Sequence, residues 1–179
     1  MGQLNLGNGA TFQGGSGGYL ANAPTGTIIQ SDFFTTSTLT SASTTSFATL
    51  YTFNFTPKQS NSELVHQLWC TTYINNSSPV TAANGQDCRV QRSGSAVWGV
   101  SWMNYLNHNS YAHDFYPTMN FQFVDTVQGS TSQIAYTFQA RKYGGNSSRW
   151  PTHYAGDNGY NGGNQLGQRF VWRIDEYSV

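Results

Sequence analysis

The sequence predicts an all-β fold, an antiparallel β-sandwich or jelly roll preceded by an extended glycine-rich arm, and three observations carry that expectation. Several short segments alternate apolar and polar residues with a period of two, which places successive side chains on opposite faces of a sheet. Gly, Ser, Asn and Pro clusters separate those segments at short intervals. No segment has a helical period. Seven or eight short strands punctuated in this way suit a sandwich or jelly roll better than any layered α/β arrangement.

Residues 1–26 read MGQLNLGNGATFQGGSGGYLANAPTG and hold eight of the nineteen glycines. With no sustained period they form a docking arm, in which Leu4, Leu6, Phe12, Tyr19 and Leu20 are spaced as anchors along a flexible rope. The sandwich domain spans residues 27–179. Its first strand is expected over 27–38. The second covers 47–55, with Phe47, Tyr51, Phe53 and Phe55 on one face, and stops at Pro57. The third spans 63–74, rich in Leu, Val, Trp, Tyr and Ile. A fourth begins at 88–91 and a fifth covers 96–105. The stretch FQFVDTVQGSTSQIAYTFQARKYGG (121–145) reads as a hairpin. Met119, Phe121 and Phe123 face one way on its first limb, and Ile134, Tyr136, Phe138 and Ala140 share a face on the second. The closing strand, 170–177, turns Phe170, Trp172 and Ile174 inward.

Composition narrows the function. Charged residues make up 9% of the chain and aromatics 15%, with zero formal net charge. An average soluble domain carries about 25% charged residues. Nucleic-acid binding needs a basic stripe, and eight scattered Lys and Arg do not form one. No apolar run approaches the roughly 20 residues of a membrane span, and the N-terminus lacks the basic and apolar segments of a signal peptide. The expected site of synthesis is therefore the cytoplasm. A surface so poor in charge is weakly protected against association, which is resolved if much of it faces other subunits.

The candidate chemical motifs are weak. GGSGG (14–18) matches the G-x-S-x-G nucleophile pattern, but no strand-to-helix turn flanks Ser16. His108, His113 and Asp114 lack metal-ligand spacing, and the glycine loop 157–164 contains one carboxylate where a calcium loop needs several. None of the eight carboxylates sits in a recognisable acid/base pairing. The expectation is a protein without catalytic residues, metal or cofactor. Cys70 and Cys88 are read as buried thiols in neighbouring strands, on faces shared with Leu68 and Val90. Two stretches carry aromatic rings among amides and hydroxyls, the chemistry that stacks on a pyranose and bonds its hydroxyl groups. Their candidate glycan or partner contacts are Tyr111, His113, Trp150, His153 and Tyr154, against the simpler reading of core or interface aromatics.

The order GTIIQSDFFTTST, FNFTPKQSNSEL, CRVQRSGSAV, FQFVDTVQGSTSQIAYTFQARKYGG and FVWRIDEY resembles a β-sandwich module of virion structural proteins in tailed bacteriophages, including phages of cyanobacteria. That module is marked by a Thr-Pro-Lys-x-Ser-x-Ser turn, an FxFxD strand, a Ser/Thr-rich turn, a YxFQxR strand and a short closing strand. The resemblance covers residues 27–179 and departs from the pattern at VWGVSWMNYLNHNSYAHDFYP and RWPTHYAGDNGYNGGNQLG. It implies a non-enzymatic virion protein, often a homotrimer, contacting other virion proteins such as major capsid or tail proteins. A capsid decoration or small appendage is the leading expectation, since no long repetitive shaft is present. A tail-fibre tip contacting host surface glycans, and a soluble lectin-like module, stand beside it.

Overall fold

The computed structural model describes residues 3–5, 11–13, 19–38, 40–74, 84–106, 118–126, 129–143, 148–150 and 169–179. Every regular element among them is a strand. No helix in the described residues is long and apolar enough to cross a membrane.

Eight strands build the sandwich: β4 (Ile28–Thr36), β6 (Ala48–Phe55), β7 (Glu63–Thr71), β9 (Asn84–Arg92), β10 (Ser95–Leu106), β11 (Thr118–Thr126), β12 (Ile134–Tyr143) and β14 (Phe170–Tyr177). One sheet has the order β11-β7-β14-β4 and the other β10-β9-β12-β6, with every pairing antiparallel. Consecutive strands alternate between the sheets except β9 and β10, which form a hairpin. This is the strand order of a jelly roll. The β9–β10 turn is centred on Ser93 (φ 48°) and Gly94 (φ 91°), the pair of positive φ values that a two-residue hairpin with matching twist requires.

The interior is aromatic. Phe55, Tyr136, Phe138, Phe170 and Trp172 are buried, and Tyr51 packs across the sheets with its ring tilted against Phe170, centroids 4.5 Å apart. Phe138 lies 5.0 Å from the same ring. Ring pairs at such spacings add about 0.5–1.5 kcal/mol each beyond the area they bury. Phe170, Trp172 and Ile174 face this core, as their spacing predicts.

Three expectations need correction. The 121–145 stretch is not a hairpin: β11 pairs with β7 while β12 pairs with β6 and β9, so the connection crosses from one sheet to the other. Each limb has the alternation expected of it, but a hydrophobic face can be buried as well against an opposing sheet as beside a neighbour, and the period does not distinguish the two. Phe47 is not on the face of Tyr51. Tyr51 pairs with Phe138 but Thr49 with Gln139, a bulge at Leu50 that reverses the parity upstream. Phe47 thus lies on the outer surface, clamped by the guanidinium groups of Arg89 (4.1 Å) and Arg141 (4.6 Å). Cys70 and Cys88 are buried and free, and each shares the inner face expected of it. They belong to opposing sheets rather than neighbouring strands, facing each other across the core.

Two small sheets complete the fold. β5 (Thr40–Ala42), β13 (Ser148–Trp150) and β8 (Tyr73–Ile74) pair in that order, tying together three of the connections that cross between the main sheets. In the N-terminal segment, β1 (Gln3–Asn5), β2 (Thr11–Gln13) and β3 (Tyr19–Ala21) form a meander whose register sets Leu4 against Phe12 and Phe12 against Leu20. The chain then turns through Asn22 (φ 52°) and Gly26 (φ 81°). Gly26 donates to the Ser178 carbonyl at 2.8 Å and the Ser178 hydroxyl donates to the Pro24 carbonyl, so residues 24–27 are tied to the end of the sandwich.

Candidate interaction surface

The described carboxylates mostly hold the framework. Glu176 is fully buried, and its two oxygens accept from the backbone N–H of Lys58 and Gln59 at 2.9 Å, from Ser62 Oγ at 2.6 Å and from Gln30 Nε2 at 2.6 Å. The Thr-Pro-Lys-x-Ser-x-Ser turn is thus wrapped around a carboxylate supplied by the closing strand. Asp125, the acid of the FxFxD strand, accepts from Arg92 at 2.9 Å and from Tyr136 Oη at 2.7 Å. Burial, and then this bond to Asp125, push the Tyr136 hydroxyl pKa upward. Asp87 pairs with Arg141 at 2.7 Å and Asp175 with Arg173 at 2.8 Å. The 56–62 turn and the closing strand, and likewise β11 and β12, are therefore hydrogen-bond partners across the fold. Among the described residues no group of three His, Cys, Asp or Glu is placed to hold a metal ion.

His66 is another core group. Its Nδ1 accepts the Trp172 indole N–H at 3.1 Å, and its ring stacks on Phe123 with centroids 4.5 Å apart. Desolvation pushes its pKa down to about 3, which makes it a neutral structural histidine at ordinary pH.

The outer faces of the two sheets differ in kind. On the β10-β9-β12-β6 sheet, Arg89 bonds Gln139 at 2.7 Å, Arg141 pairs with Asp87, and Phe47 lies under both arginines. The β11-β7-β14-β4 sheet presents three rows. Asn120, Trp69, Val171 and Thr35 are aligned across it, then Gln122, Gln67, Arg173 and Phe33, then Val124, Val65, Asp175 and Ser31. Trp69 is 37% exposed, Phe33 55% and Val124 54%, high values for large apolar side chains. On this face Arg173 and Asp175 pair with each other, and the Arg173 guanidinium sits 5.4 Å above the Phe33 ring; the exposed Glu63 at the start of β7 adds a carboxylate at its border.

This face lay in the strand pattern without being singled out. Leu64, His66, Leu68 and Cys70 alternate inward on β7, so Val65 and Trp69 had to emerge on the other side. An apolar residue on both faces of one strand is the signal. Of the glycan candidates, Trp150 falls in β13, where its backbone pairs with Thr40. Tyr111, His113, His153 and Tyr154 lie outside the described residues, as do Leu6, Ser16, His108, Asp114 and the 157–164 loop. The other arm anchors, Leu4, Phe12, Tyr19 and Leu20, fall in the N-terminal meander.

No protein-family description matches the chain, and no curated protein does. Among solved structures, dimeric latent PorU from Porphyromonas gingivalis is similar at 9% identity and a TM-score of 0.34, over 88% of this chain and 14% of that one. A structure of infectious bursal disease virus, Gx strain, is similar at 12% identity and a TM-score of 0.36, over 84% of this chain and 37% of that one. The chain spans less than two thirds of either.

Proposed function

We propose that this protein is a non-enzymatic structural subunit of a bacteriophage virion surface, a capsid decoration protein or small appendage attached through its N-terminal segment. The observation that carries the reading is the charge-poor outer face of the β11-β7-β14-β4 sheet, where Phe33, Trp69 and Val124 are all exposed. Large apolar side chains exposed on one sheet face favour a contact surface. The buried carboxylates support the same reading, since Asp87, Asp125, Asp175 and Glu176 are engaged in bonds that join strands and turns. Attachment falls to the N-terminal meander, whose register collects Leu4, Phe12 and Leu20 into one row.

Electron microscopy of intact particles with a labelled antibody tests the role. Label on the head supports a decoration protein and label at the tail tip a fibre or receptor-binding role; particles without label refute a virion protein. A deletion ending at Ala21 tests attachment while sparing the Pro24 and Gly26 bonds to Ser178. The truncated protein should fold but fail to join particles, and normal incorporation would remove the segment from the reading.

A further inference from the structure

We infer that Arg89 and Arg141, on the outer face of the β10-β9-β12-β6 sheet, form a binding site for a tetrahedral oxyanion, a phosphate or sulfate group that is free in solution or carried by a larger ligand. The inference goes beyond the virion reading and stands independently of it.

Charge is divided between the two sheets. Strands β6, β9, β10 and β12 carry four cations, Arg89, Arg92, Arg141 and Lys142, and one carboxylate, Asp87. The strands of the other sheet carry five carboxylates and one arginine. A chain of zero net charge thus has a cationic side, which attracts anions before any contact is made. Arg92 is paired with Asp125 of β11 at 2.9 Å. Arg89 and Arg141 lie together on the outer face, 4.1 Å and 4.6 Å from the centroid of the same Phe47 ring. Two like charges this close repel each other, and Asp87 offsets only one of them. The Asp87 side chain is 2% exposed and that of Arg141 36%, so the acid lies beneath while the guanidinium meets solvent.

Both arginines are held by bonds that leave most of their donors over. Arg89 Nε donates to the neutral amide of Gln139 at 2.7 Å, and Gln139 Nε2 donates in turn to Thr49 at 2.9 Å. Arg141 Nε donates to Asp87 at 2.7 Å. Each of these bonds uses one of the five N–H groups of a guanidinium, and the shared Phe47 ring packs against both. Two such forks match the several oxygens of a phosphate or sulfate better than the two of a carboxylate. Positioned before the anion arrives, they bind it without first losing side-chain freedom. Gly99 keeps the approach open: it is the exposed partner of Arg89 on β10, and a Cβ there would stand 3.3 Å from the Arg89 Cβ. The exposed large apolar side chains of the described residues all lie off this sheet, which suits it to a small polar ligand rather than to an apolar protein contact.

The test uses the full chain, isotope-labelled for nuclear magnetic resonance, at low ionic strength. Inorganic phosphate should shift the Nε–H signals of Arg89 and Arg141 in a saturable titration that weakens as sodium chloride is added. Arg89→Gln should weaken binding at least about tenfold, and Arg89→Lys, which keeps the charge but loses the fork, severalfold. Lys58→Gln removes the same charge from the turn after β6 and should leave the affinity unchanged. Unchanged near-ultraviolet circular dichroism identifies variants that fold; if Arg89→Gln does not, Arg89→Lys decides. A second titration, with a hexose phosphate, identifies the source. An affinity equal to or above that of inorganic phosphate assigns the site to a phosphate ester on a larger ligand, and binding of inorganic phosphate alone assigns it to the free ion. No saturable binding of either, or a folded Arg89 variant with wild-type affinity, overturns the inference. Equal weakening by Lys58→Gln reduces the effect to net charge and also overturns it.

Discussion

Replacing His66 with Gln should abolish a defined part of the acid sensitivity of this fold. His66 is fully buried among Phe123, Tyr136 and Trp172, and its Nδ1 must stay unprotonated to accept the Trp172 indole N–H. Its Nε2 therefore carries the ring proton, with no hydrogen-bond partner. Burial lowers the pKa from an ordinary 6.5 to about 3. Above pH 6.5 the ring is neutral in both the folded and unfolded chain, and the group contributes no pH dependence. As pH falls below 6.5 the unfolded chain binds a proton that the folded one refuses, so stability drops about tenfold in the folded/unfolded ratio per pH unit until about pH 3. The whole window amounts to roughly 5 kcal/mol, and the part down to pH 4 to roughly 3 kcal/mol, a large share of the 5–15 kcal/mol typical of a domain. Urea unfolding of wild type and His66→Gln from pH 7 to pH 4 measures it. The Gln amide oxygen can still accept from Trp172 but cannot titrate, and the remaining acids and histidines are common to both proteins, so the difference isolates His66. Parallel pH profiles for the two proteins would refute a buried neutral imidazole.

Two further perturbations probe the framework. Glu176→Ala leaves the Lys58 and Gln59 N–H groups, Ser62 and Gln30 without their shared acceptor, and should destabilise the protein by about 3–5 kcal/mol, read as a lower urea midpoint; a loss below about 1 kcal/mol would mean the turn is held by something else. Cys70 and Cys88 should resist a thiol reagent in the native protein and both react in denaturant, because burial pushes the Cys70 thiol up to about 12 and raises Cys88 as well. Rapid labelling of either cysteine without unfolding would contradict the closed core.

Much of the strand inventory was legible because burial on one face writes a period of two into the chain. β4, β6, β7 and β14 begin and end within a few residues of their expected bounds, and Tyr51, Phe53, Tyr136, Phe138 and Trp172 are in the core as their alternation implies. The N-terminal meander was less visible, although Leu4, Phe12 and Leu20 recur every eight residues: three-residue strands are too short for alternation to register. Phe47 was misassigned because a one-residue bulge at Leu50 leaves no mark in composition yet inverts every face upstream of it.

The sequence by itself determined the all-β class, the shortage of charge and the identity of the buried aromatic faces, since each follows from local periodicity and residue type. Only the tertiary structure decided which strands are neighbours. Alternation states that a face is buried and is silent on what buries it, so the crossing of 121–145 between sheets, the meeting of Glu176 with the 57–62 turn, and the gathering of Phe33, Trp69 and Val124 from three separate strands onto one face are products of long-range pairing. The candidate interaction surface belongs to that second group, because a surface patch is made by residues distant in the chain and exists only once the register between their strands is set.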